Sequence, residues 1–418
     1  MAKITKVVGR EILNSKGYPT IEATVYLDNG MSASASCPTG TSVSKYEAKE
    51  VRDNDPKRFG GYGELKAVEN INNKLSPKII GMDPTLQADI DKVLLNEDGT
   101  NDKSNLGANS ILPVSMAVMK AGAKSVGLPL YAYVRHFTSL GNAPFKIPSP
   151  GFNVINGGKH AGNNLDFQEF LLIPASSMPY KDALNMAVSI YQTLKTALKD
   201  KGVSTLVGDE GGFGPSFHTN RDALIMLSEA ITTSNYRINY DVFLGLDVAA
   251  NNFHQDGTYF IKDKESSMTT EELVTVYEGL NAEYNLYYLE DPFGEDDWEG
   301  WEKLNHVNSN TIIVGDDLIS TNFSRLQTAI AKNAIGGVII KPNQIGTVLE
   351  TLAVVEAARH AGLRIVVSHR SGETNDDFIA DFAVGVGADY TKFGAPTRGE
   401  RVAKYNRLLE IDEEIRNP

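Results

Sequence analysis

The back half of the chain carries seven short apolar runs, each ending on a charged residue. Successive run ends lie 23 to 43 residues apart, the extremes being His369 to Lys392 and Asp247 to Glu290. A strand, a loop, a helix and a return loop need roughly 25 to 40 residues. The runs therefore predict barrel strands, with the charged residues at the C-terminal mouth. The runs span 205–208, 242–246, 286–289, 311–314, 337–340, 364–367 and 389–391.

The front half has a different pattern. Residues 4–36 alternate apolar and polar side chains around a turn at Asn29-Gly30, which predicts an antiparallel meander of three strands. Residues 65–96 and 105–137 carry helical periodicity. Glycine and proline then cluster from residue 141 to 150. We place a domain boundary there, between an N-terminal α+β domain (1–140) and a catalytic barrel domain (141–418).

The barrel domain opens irregularly. Two strand patterns, 146–156 and 168–174, come close together, and two helical patterns, 180–200 and 220–234, follow them. Strands and helices alternate from there to the end. The predicted fold class is α/β, a TIM-type barrel with a non-standard ββαα start, preceded by the smaller α+β domain.

Composition narrows the functional classes. With 418 residues, 41% of them hydrophobic and 22% charged, the chain is typical of a two-domain globular protein. We expect no membrane span, because no apolar stretch reaches the ~18 residues that a membrane helix needs. The single cysteine, Cys37, suits a reducing cytoplasm. A net charge of −13 without a basic run argues against nucleic acid as a partner.

Three carboxylates, Asp247, Glu290 and Asp316, follow runs on different predicted strands. Oxygen ligands without cysteine or histidine nearby suit Mg²⁺, and three converging acids repel one another unless a cation lies among them. Lys341 ends another run, and its neighbours Lys392 and Arg370, with a metal, are expected to lower its pKa enough for a general base. The alternative for each group is an ordinary ion pair or helix cap.

Three further residues suggest proton transfer and anion binding. Glu210, in a glycine-rich segment, is expected on another strand end as the opposite proton carrier. Arg370 and Ser371, with the amides of a following helix, predict a phosphate site. His160 lies in a glycine-rich loop that is a candidate lid. Together these groups predict proton abstraction beside a carboxylate, followed by loss of a hydroxyl group.

In this order, the motifs resemble the enolase family, which interconverts 2-phosphoglycerate with phosphoenolpyruvate and water in glycolysis and gluconeogenesis. The similarity runs nearly end to end. The matching motifs lie at 9–13, 106–112, 156–162, 168–170, 208–212, 290–293, 315–318, 341–346, 368–374 and 401–406.

The resemblance implies a metal site. Asp247, Glu290 and Asp316 would bind the first of two Mg²⁺ ions, and Ser42 would contact the second, which arrives with substrate. It also implies a homodimer or an octamer built from dimers. A cytoplasmic location is expected, with a secondary cell-surface or secreted presence in some members.

The resemblance also assigns proton transfer and substrate binding. Lys341 would take the C2 proton, Glu210 aided by Glu169 would help the C3 hydroxyl depart, and His369 would complete the catalytic set. The residues expected to bind the small phosphorylated substrate are His160, Glu169, Arg370, Ser371 and Lys392.

The loop at 39–44 departs from the family pattern Ser-Gly-Ala-Ser-Thr-Gly. It reads Thr-Gly-Thr-Ser-Val-Ser here. The β-branched Thr41 and Val43 and the loss of glycine at Ser44 stiffen this lid, so we expect slower or weaker closure. Other departures from the family pattern are Asn14, Lys16, Tyr18 and Phe393.

Two other functions fit part of the pattern. One is a different acid-sugar or α-hydroxy-acid enzyme of the wider superfamily, against which the Lys341–Glu210 pair and the Arg370–Ser371 pair argue. The other is a barrel kept as a binding or structural protein, which only the altered lid loop supports.

Overall fold

The computed structural model describes residues 2–41, 43–262, 264–307 and 310–417. The front half begins with an antiparallel sheet in the order β1-β2-β3, which confirms the predicted meander. Its strands are β1 (Ile4–Leu13), β2 (Pro19–Leu27) and β3 (Ser32–Ser36). Alternate residues of β2, namely Ile21, Ala23 and Val25, are fully buried, as period-two patterning requires.

Helices cover the buried face of this sheet. The periodic stretch 65–96 is broken into short pieces, because the chain turns at Gly81 with φ +83° and Pro84 follows. These pieces are α1 (Leu65–Glu69), a π-helical turn (Asn70–Leu75), α2 (Ser76–Ile79) and α3 (Gln87–Asp98). The stretch 105–137 forms α4 (Ala108–Ser125), which packs on β2 and β3, and α5 (Leu130–Arg135).

The back half is a closed eight-stranded barrel, in the order β10-β11-β12-β13-β4-β5-β6-β9. The strands are β4 (Ser149–Asn156), β5 (Glu169–Pro174), β6 (Val242–Asp247), a side hairpin of β7 (His254–Gln255) and β8 (Thr258–Tyr259), then β9 (Tyr288–Glu290), β10 (Ile312–Gly315), β11 (Gly337–Ile340), β12 (Arg364–Ser368) and β13 (Tyr390–Lys392). The helices are α6 (Tyr180–Asp200), α7 (Asn220–Thr233), α8 (Thr270–Tyr284), α9 (Trp298–Val307), α10 (Phe323–Ala331), α11 (Val348–His360), α12 (Phe378–Gly385) and α13 (Gly399–Arg416). Among the described residues, no helix combines the length and the apolar character needed to cross a membrane.

The ββαα start is confirmed. Strand β5 pairs antiparallel with both β4 and β6, whereas the other neighbouring barrel strands pair in parallel. Because β5 runs backwards, its first residue, Glu169, lies at the C-terminal mouth, where it pairs in register with Asp247. The boundary near residue 140 falls in the connection between α5 and β4, and its position stays a prediction.

One predicted strand is wrong. Residues 205–208 do not join the barrel, and Val207 makes only an isolated bridge to Phe213. Leu206 is 79% exposed and Val207 42% exposed, so this apolar run lies on the surface. Regular spacing alone suggested a strand. The barrel takes its first two strands from 149–156 and 169–174 instead, and Glu210 lies on the loop between α6 and α7.

Period-two alternation explains how polar residues reach the mouth. A compact cluster drawn from different barrel strands includes Leu171, Tyr288, Val314 and Ile339. Glu169 lies two residues before Leu171, and Glu290, Asp316 and Lys341 lie two residues after Tyr288, Val314 and Ile339. Residues i and i+2 of a strand share a face, so each polar side chain lies on the same side of the barrel wall as an apolar one. The apolar cluster thus forms the floor of the polar site.

The front half also supports the barrel directly. At the start of α11, Leu349 N donates to Asp91 Oδ2 at 2.9 Å, and Val348 N donates to Ser115 Oγ at 3.0 Å. Asp91 and Ser115 belong to front-half helices and satisfy amides that a helix N-terminus leaves free. Since α11 follows the strand that ends at Lys341, the front half steadies the region of that residue.

A second link between the halves is Arg135, at the end of α5. Its guanidinium donates to Gly385 O at 2.6 Å, Val384 O at 3.1 Å and Ala143 O at 2.8 Å. Two of these carbonyls end α12, where a helix presents unpaired acceptors and negative dipole charge. The buried Arg135 side chain therefore caps α12 from the neighbouring helix.

Replacing Arg135 by methionine should lower the free energy of unfolding by about 2 to 4 kcal/mol, because charged hydrogen bonds to buried carbonyls are lost. Urea unfolding followed by circular dichroism measures this loss. Arg135→Lys keeps the charge but not the planar fork, so it should recover only part of the stability. Equal stability of Arg135→Met and the unchanged protein would contradict the capping role.

Candidate active site

The predicted site residues lie around one cavity at the barrel mouth. Its lining includes Glu169, Glu210, Asp247, Asp316, Lys341, His160, His369, Arg370, Ser371 and Lys392. Glu290 contacts Lys392 from β9. The cavity measures only about 30 Å³, room for a few water molecules, because the lining side chains fill it. Ser42, predicted to bind a metal, lies outside the described residues.

Lys392 neutralises three of the acids. Its Nζ lies 2.6 Å from Glu290 Oε1, 3.1 Å from Asp247 Oδ2 and 3.4 Å from Glu169 Oε1. Burial and the Asp247 charge raise the pKa of Glu290 to about 8, although Lys392 acts in the opposite direction. Burial lowers the pKa of Lys392. The three carboxylates together raise it by a larger amount, so the pKa lies well above its usual value and the ammonium group stays charged. The Lys392 ammonium group therefore supplies positive charge among the acids, where the sequence predicted a cation.

Lys341 has the same kind of partner. Its Nζ is bound to Asp316 Oδ2, while Asp316 Oδ1 accepts from Gln344 Nε2 at 3.1 Å. Burial lowers the pKa of Lys341, as do Arg370 and Lys392, but the adjacent Asp316 and, less, Glu290 act in the opposite direction and the pKa is raised overall. The predicted lowering of the pKa assumed a metal ion at these acids and stays a prediction; it did not foresee the direct pairing of Lys341 with Asp316.

Glu210 lies between two imidazoles. Its Oε1 is 3.4 Å from His160 Nδ1 and 3.3 Å from His369 Nε2, and its Oε2 accepts from Asn153 Nδ2 at 2.9 Å. Burial raises the pKa of Glu210, but both histidines lower it by more. Burial and the nearby Glu210 charge raise the pKa of Glu169 well above its usual range. The opposite directions favour a single proton shared by this pair of acids.

The anion site is occupied by a carboxylate of the chain itself. Arg370 NH1 lies 2.9 Å from Glu47 Oε2, and Arg370 NH2 donates to Glu47 Oε1 at 3.2 Å. This fork geometry is the one that guanidinium uses for carboxylate and phosphate alike. Helix α12 begins only at Phe378, so the helix amides expected next to Ser371 are not there.

Sequence reasoning missed two residues that shape the site. Glu47, in the front half, carried no signal beyond lying just after the lid loop. Asp291 directly follows a predicted metal ligand, and its buried carboxylate accepts from the amides of Asp316 at 2.9 Å and Asp317 at 2.7 Å. Asp291 therefore holds the backbone from which Asp316 projects, and two adjacent acids after one strand were the available signal.

The donor set suits a hard divalent cation. Seven carboxylates and three lysine or arginine side chains line the cavity, which leaves negative charge in excess. Two sets of three ligand atoms lie within 4.8 Å of one another, in His160–Glu169–Glu210 and in Asp291–Asp316–Asp317. Asp247–Glu290–Asp316 is not such a set within the described ranges. Lys392 contacts two members of this triad and Lys341 holds the third, so a cation must displace both lysines.

Comparison with known families identifies the fold and the class of enzyme. The model described as "Enolase, N-terminal domain" matches residues 4–134, and "Enolase, C-terminal TIM barrel domain" matches residues 144–418. This chain belongs to the enolase family. It is therefore an enolase-type enzyme of the lyase class, with the small front domain and TIM barrel that its sequence predicted.

In this enolase-family chain, residues that depart from the family pattern contact one another. Thr41 Oγ1 accepts from Lys16 Nζ at 2.7 Å and lies 2.7 Å from Ser371 Oγ, while Asn14 Nδ2 donates to Thr39 Oγ1 at 2.7 Å. These bonds tie the loop to the first hairpin and to the anion site. The effect on closure stays a prediction.

Phe393, another departure, is fully buried and packs against Tyr405, with ring centroids 6.0 Å apart. It does not line the cavity. The replacement of threonine by Phe393 therefore concerns core packing behind Lys392 in this enolase-family chain.

Thr41→Val should loosen the lid loop, because the hydroxyl that links Lys16 to Ser371 is lost while the side-chain shape is kept. Each lost hydrogen bond is worth about 1 kcal/mol, so exchange of the Thr41 amide should quicken by about tenfold. Hydrogen exchange read by mass spectrometry measures the change. Thr41→Ser, which keeps the hydroxyl, is the control. Equal exchange in the valine and serine variants would contradict the tie.

Lys392→Met should destabilise the protein more in EDTA than in Mg²⁺. Without the ammonium group, three buried acids lack a cation, and breaking such pairs costs about 3 to 5 kcal/mol. A divalent ion binding those acids supplies the missing charge and restores part of the melting temperature. Thermal melts with and without Mg²⁺ test this. The same loss in both conditions would show that Mg²⁺ does not bind at these carboxylates.

Proposed function

We propose that this chain catalyses the reversible dehydration of 2-phospho-D-glycerate to phosphoenolpyruvate in glycolysis and gluconeogenesis. One arrangement carries the proposal. Lys341 follows β11 and Glu169 begins β5, and these strands are four places apart in a ring of eight. A base and a proton-bearing carboxyl thus stand across the mouth from each other, as removal of a proton and a hydroxyl from adjacent carbons requires.

Asp247, Glu290 and Asp316 would hold the first Mg²⁺ and Ser42 would contact the second. Mg²⁺, when bound, would supply positive charge that stabilises the negative charge formed as the C2 proton leaves. Lys341 would lose its Asp316 partner if that carboxylate held the ion. Burial and the neighbouring Arg370 and Lys392 then lower its pKa, so that its neutral amine takes the C2 proton.

The other side chains bind the substrate and carry the second proton. Lys392, released from the acids, meets the substrate carboxylate. Arg370 exchanges the Glu47 carboxylate for the substrate phosphate, with Ser371 beside it. Glu210 and Glu169 share the proton that accompanies the departing C3 hydroxyl, and His160 and His369 enclose that pair.

The supporting features extend beyond the site. A cytoplasmic location agrees with a single, buried cysteine. A homodimer, or an octamer of dimers, is part of the same proposal and follows from the family resemblance.

Ultraviolet absorbance from the conjugated product tests the reaction. Incubation with 2-phosphoglycerate and Mg²⁺ should give rapid absorbance growth, and EDTA should abolish it. Lys341→Ala should lower kcat by about 100- to 10,000-fold, the range for loss of a general base. Lys332→Ala removes a half-exposed lysine paired with Glu302 and should leave kcat unchanged.

Circular dichroism of each variant separates loss of activity from loss of folding. A folded protein that gives no absorbance growth at any Mg²⁺ concentration would contradict the proposal. That result would favour the reading of a barrel kept for binding.

A further inference from the structure

Arg401 is a buried cation in an unfavourable position. It lies in the first turn of α13, and its side chain is 0% exposed. The positive end of the helix dipole opposes a cation there, and a buried guanidinium costs several kcal/mol unless its donors are satisfied. Glu400 Oε1 is 3.5 Å from Arg401 Nε. The contacts of the two terminal nitrogens offset that cost.

Those nitrogens join two separate mouth segments. Arg401 NH1 donates to Arg370 O at 2.5 Å, and NH2 donates to Ser371 O at 2.7 Å and to Asp209 O at 3.1 Å. Arg370 and Ser371 form the anion site, and Asp209 precedes Glu210. One side chain therefore fixes the anion-binding segment relative to the segment that carries a proton-transfer residue.

The remaining contact determines the protonation of His369. Arg401 NH1 lies 2.6 Å from His369 Nδ1. A guanidinium has donors only, so Nδ1 must accept and carries no proton. The single proton of the neutral imidazole is then on Nε2, which lies 3.3 Å from Glu210 Oε1.

We propose that Arg401 is a positioning residue, which fixes His369 as the neutral Nε2–H tautomer and ties the Glu210 loop to the anion site. The ring proton of His369 is then on Nε2, the nitrogen that lies 3.3 Å from Glu210 Oε1. Burial and, secondarily, Arg401 lower the pKa of His369 to about 3, in keeping with a neutral ring.

Gly394 preserves the space for this pair. It has φ +88°, and a Cβ there would lie 2.7 Å from Glu210 O, 3.0 Å from His369 Cε1 and 3.1 Å from Arg401 Cδ. A side chain at this position would push the guanidinium and the imidazole out of place. The kinetic consequence of the proposal rests on the proposed function, whereas the tautomer of His369 does not.

Nitrogen NMR of the full chain labelled with [¹⁵N]histidine tests the tautomer. Among the seven histidines, His369 is assigned with a His369→Gln variant. Long-range ¹H–¹⁵N correlation at neutral pH should show a protonated Nε2 and an unprotonated Nδ1. A protonated Nδ1 would overturn the proposal, whether or not the protein turns over substrate.

Variants of Arg401 test the positioning role. Arg401→Met should let His369 populate both tautomers and should lower kcat by about 10- to 100-fold, with KM changed less. Arg401→Lys keeps a donor for Nδ1, so it should restore the Nε2–H tautomer and part of kcat. Unchanged tautomer and kcat in a folded Arg401→Met protein would overturn the proposal.

Arg407→Met is the matched control. Arg407 lies on the same helix and pairs with Asp381 at 2.8 Å, away from the cavity. Its loss should lower the melting temperature without changing the His369 spectrum or kcat. If wild-type protein shows the Nε2–H tautomer but no dehydration, the proposed function fails and the tautomer assignment stands.

Discussion

The structure depends on neutralising a buried surplus of negative charge. Carboxylates from several barrel strands and mouth loops meet at the mouth, where water is scarce and like charges repel strongly. Lys392, Lys341 and Arg370 each hold one or more of these acids. In the proposed function, each of these cations exchanges its acid partner for another contact, so ligand binding at this site would be an exchange of partners.

Much of this was predictable because barrel geometry is simple. Six of the apolar runs became barrel strands. Five are followed by an acid or a lysine and the sixth by His369 and Arg370, and these side chains lie at the mouth because strand ends share one rim. The strand prediction for residues 205–208 was wrong, because spacing along the chain does not show whether apolar side chains are buried. The pairing of Lys341 with Asp316 was not predicted for a related reason: spacing along the chain does not show which carboxylate a long lysine side chain contacts. Glu47 and Arg401 act from other elements; Glu47 lay in no recognised motif, and the motif at 401–406 did not show what Arg401 contacts.

The front domain contributes more than a lid. Glu47 occupies the guanidinium fork of Arg370, and Asp91 satisfies an amide at the start of α11. Lys16 and Thr41 both depart from the family pattern, and Lys16 Nζ donates a hydrogen bond to Thr41 Oγ1. Substitutions that look isolated along the chain thus form one hydrogen-bonded set, and their combined effect differs from the sum of separate changes.

The reversed direction of β5 changes how the strands and helices of the barrel are connected. Strand β5 ends at the side of the barrel opposite the mouth. Helix α6 therefore runs back toward the mouth, and α7 returns to the opposite side before β6 begins. The barrel thereby gains a rim connection that joins two helices and is bound to the end of β4, where Phe213 N donates to Val154 O at 2.9 Å and Asn156 N donates to Phe213 O at 2.8 Å. Glu210 sits on that connection. Its position is therefore set by bonds from other elements, from Asn153 Nδ2 to Glu210 Oε2 at 2.9 Å and from Ala395 N to Glu210 O at 3.0 Å, whereas the positions of the strand-borne acids are set by strand register.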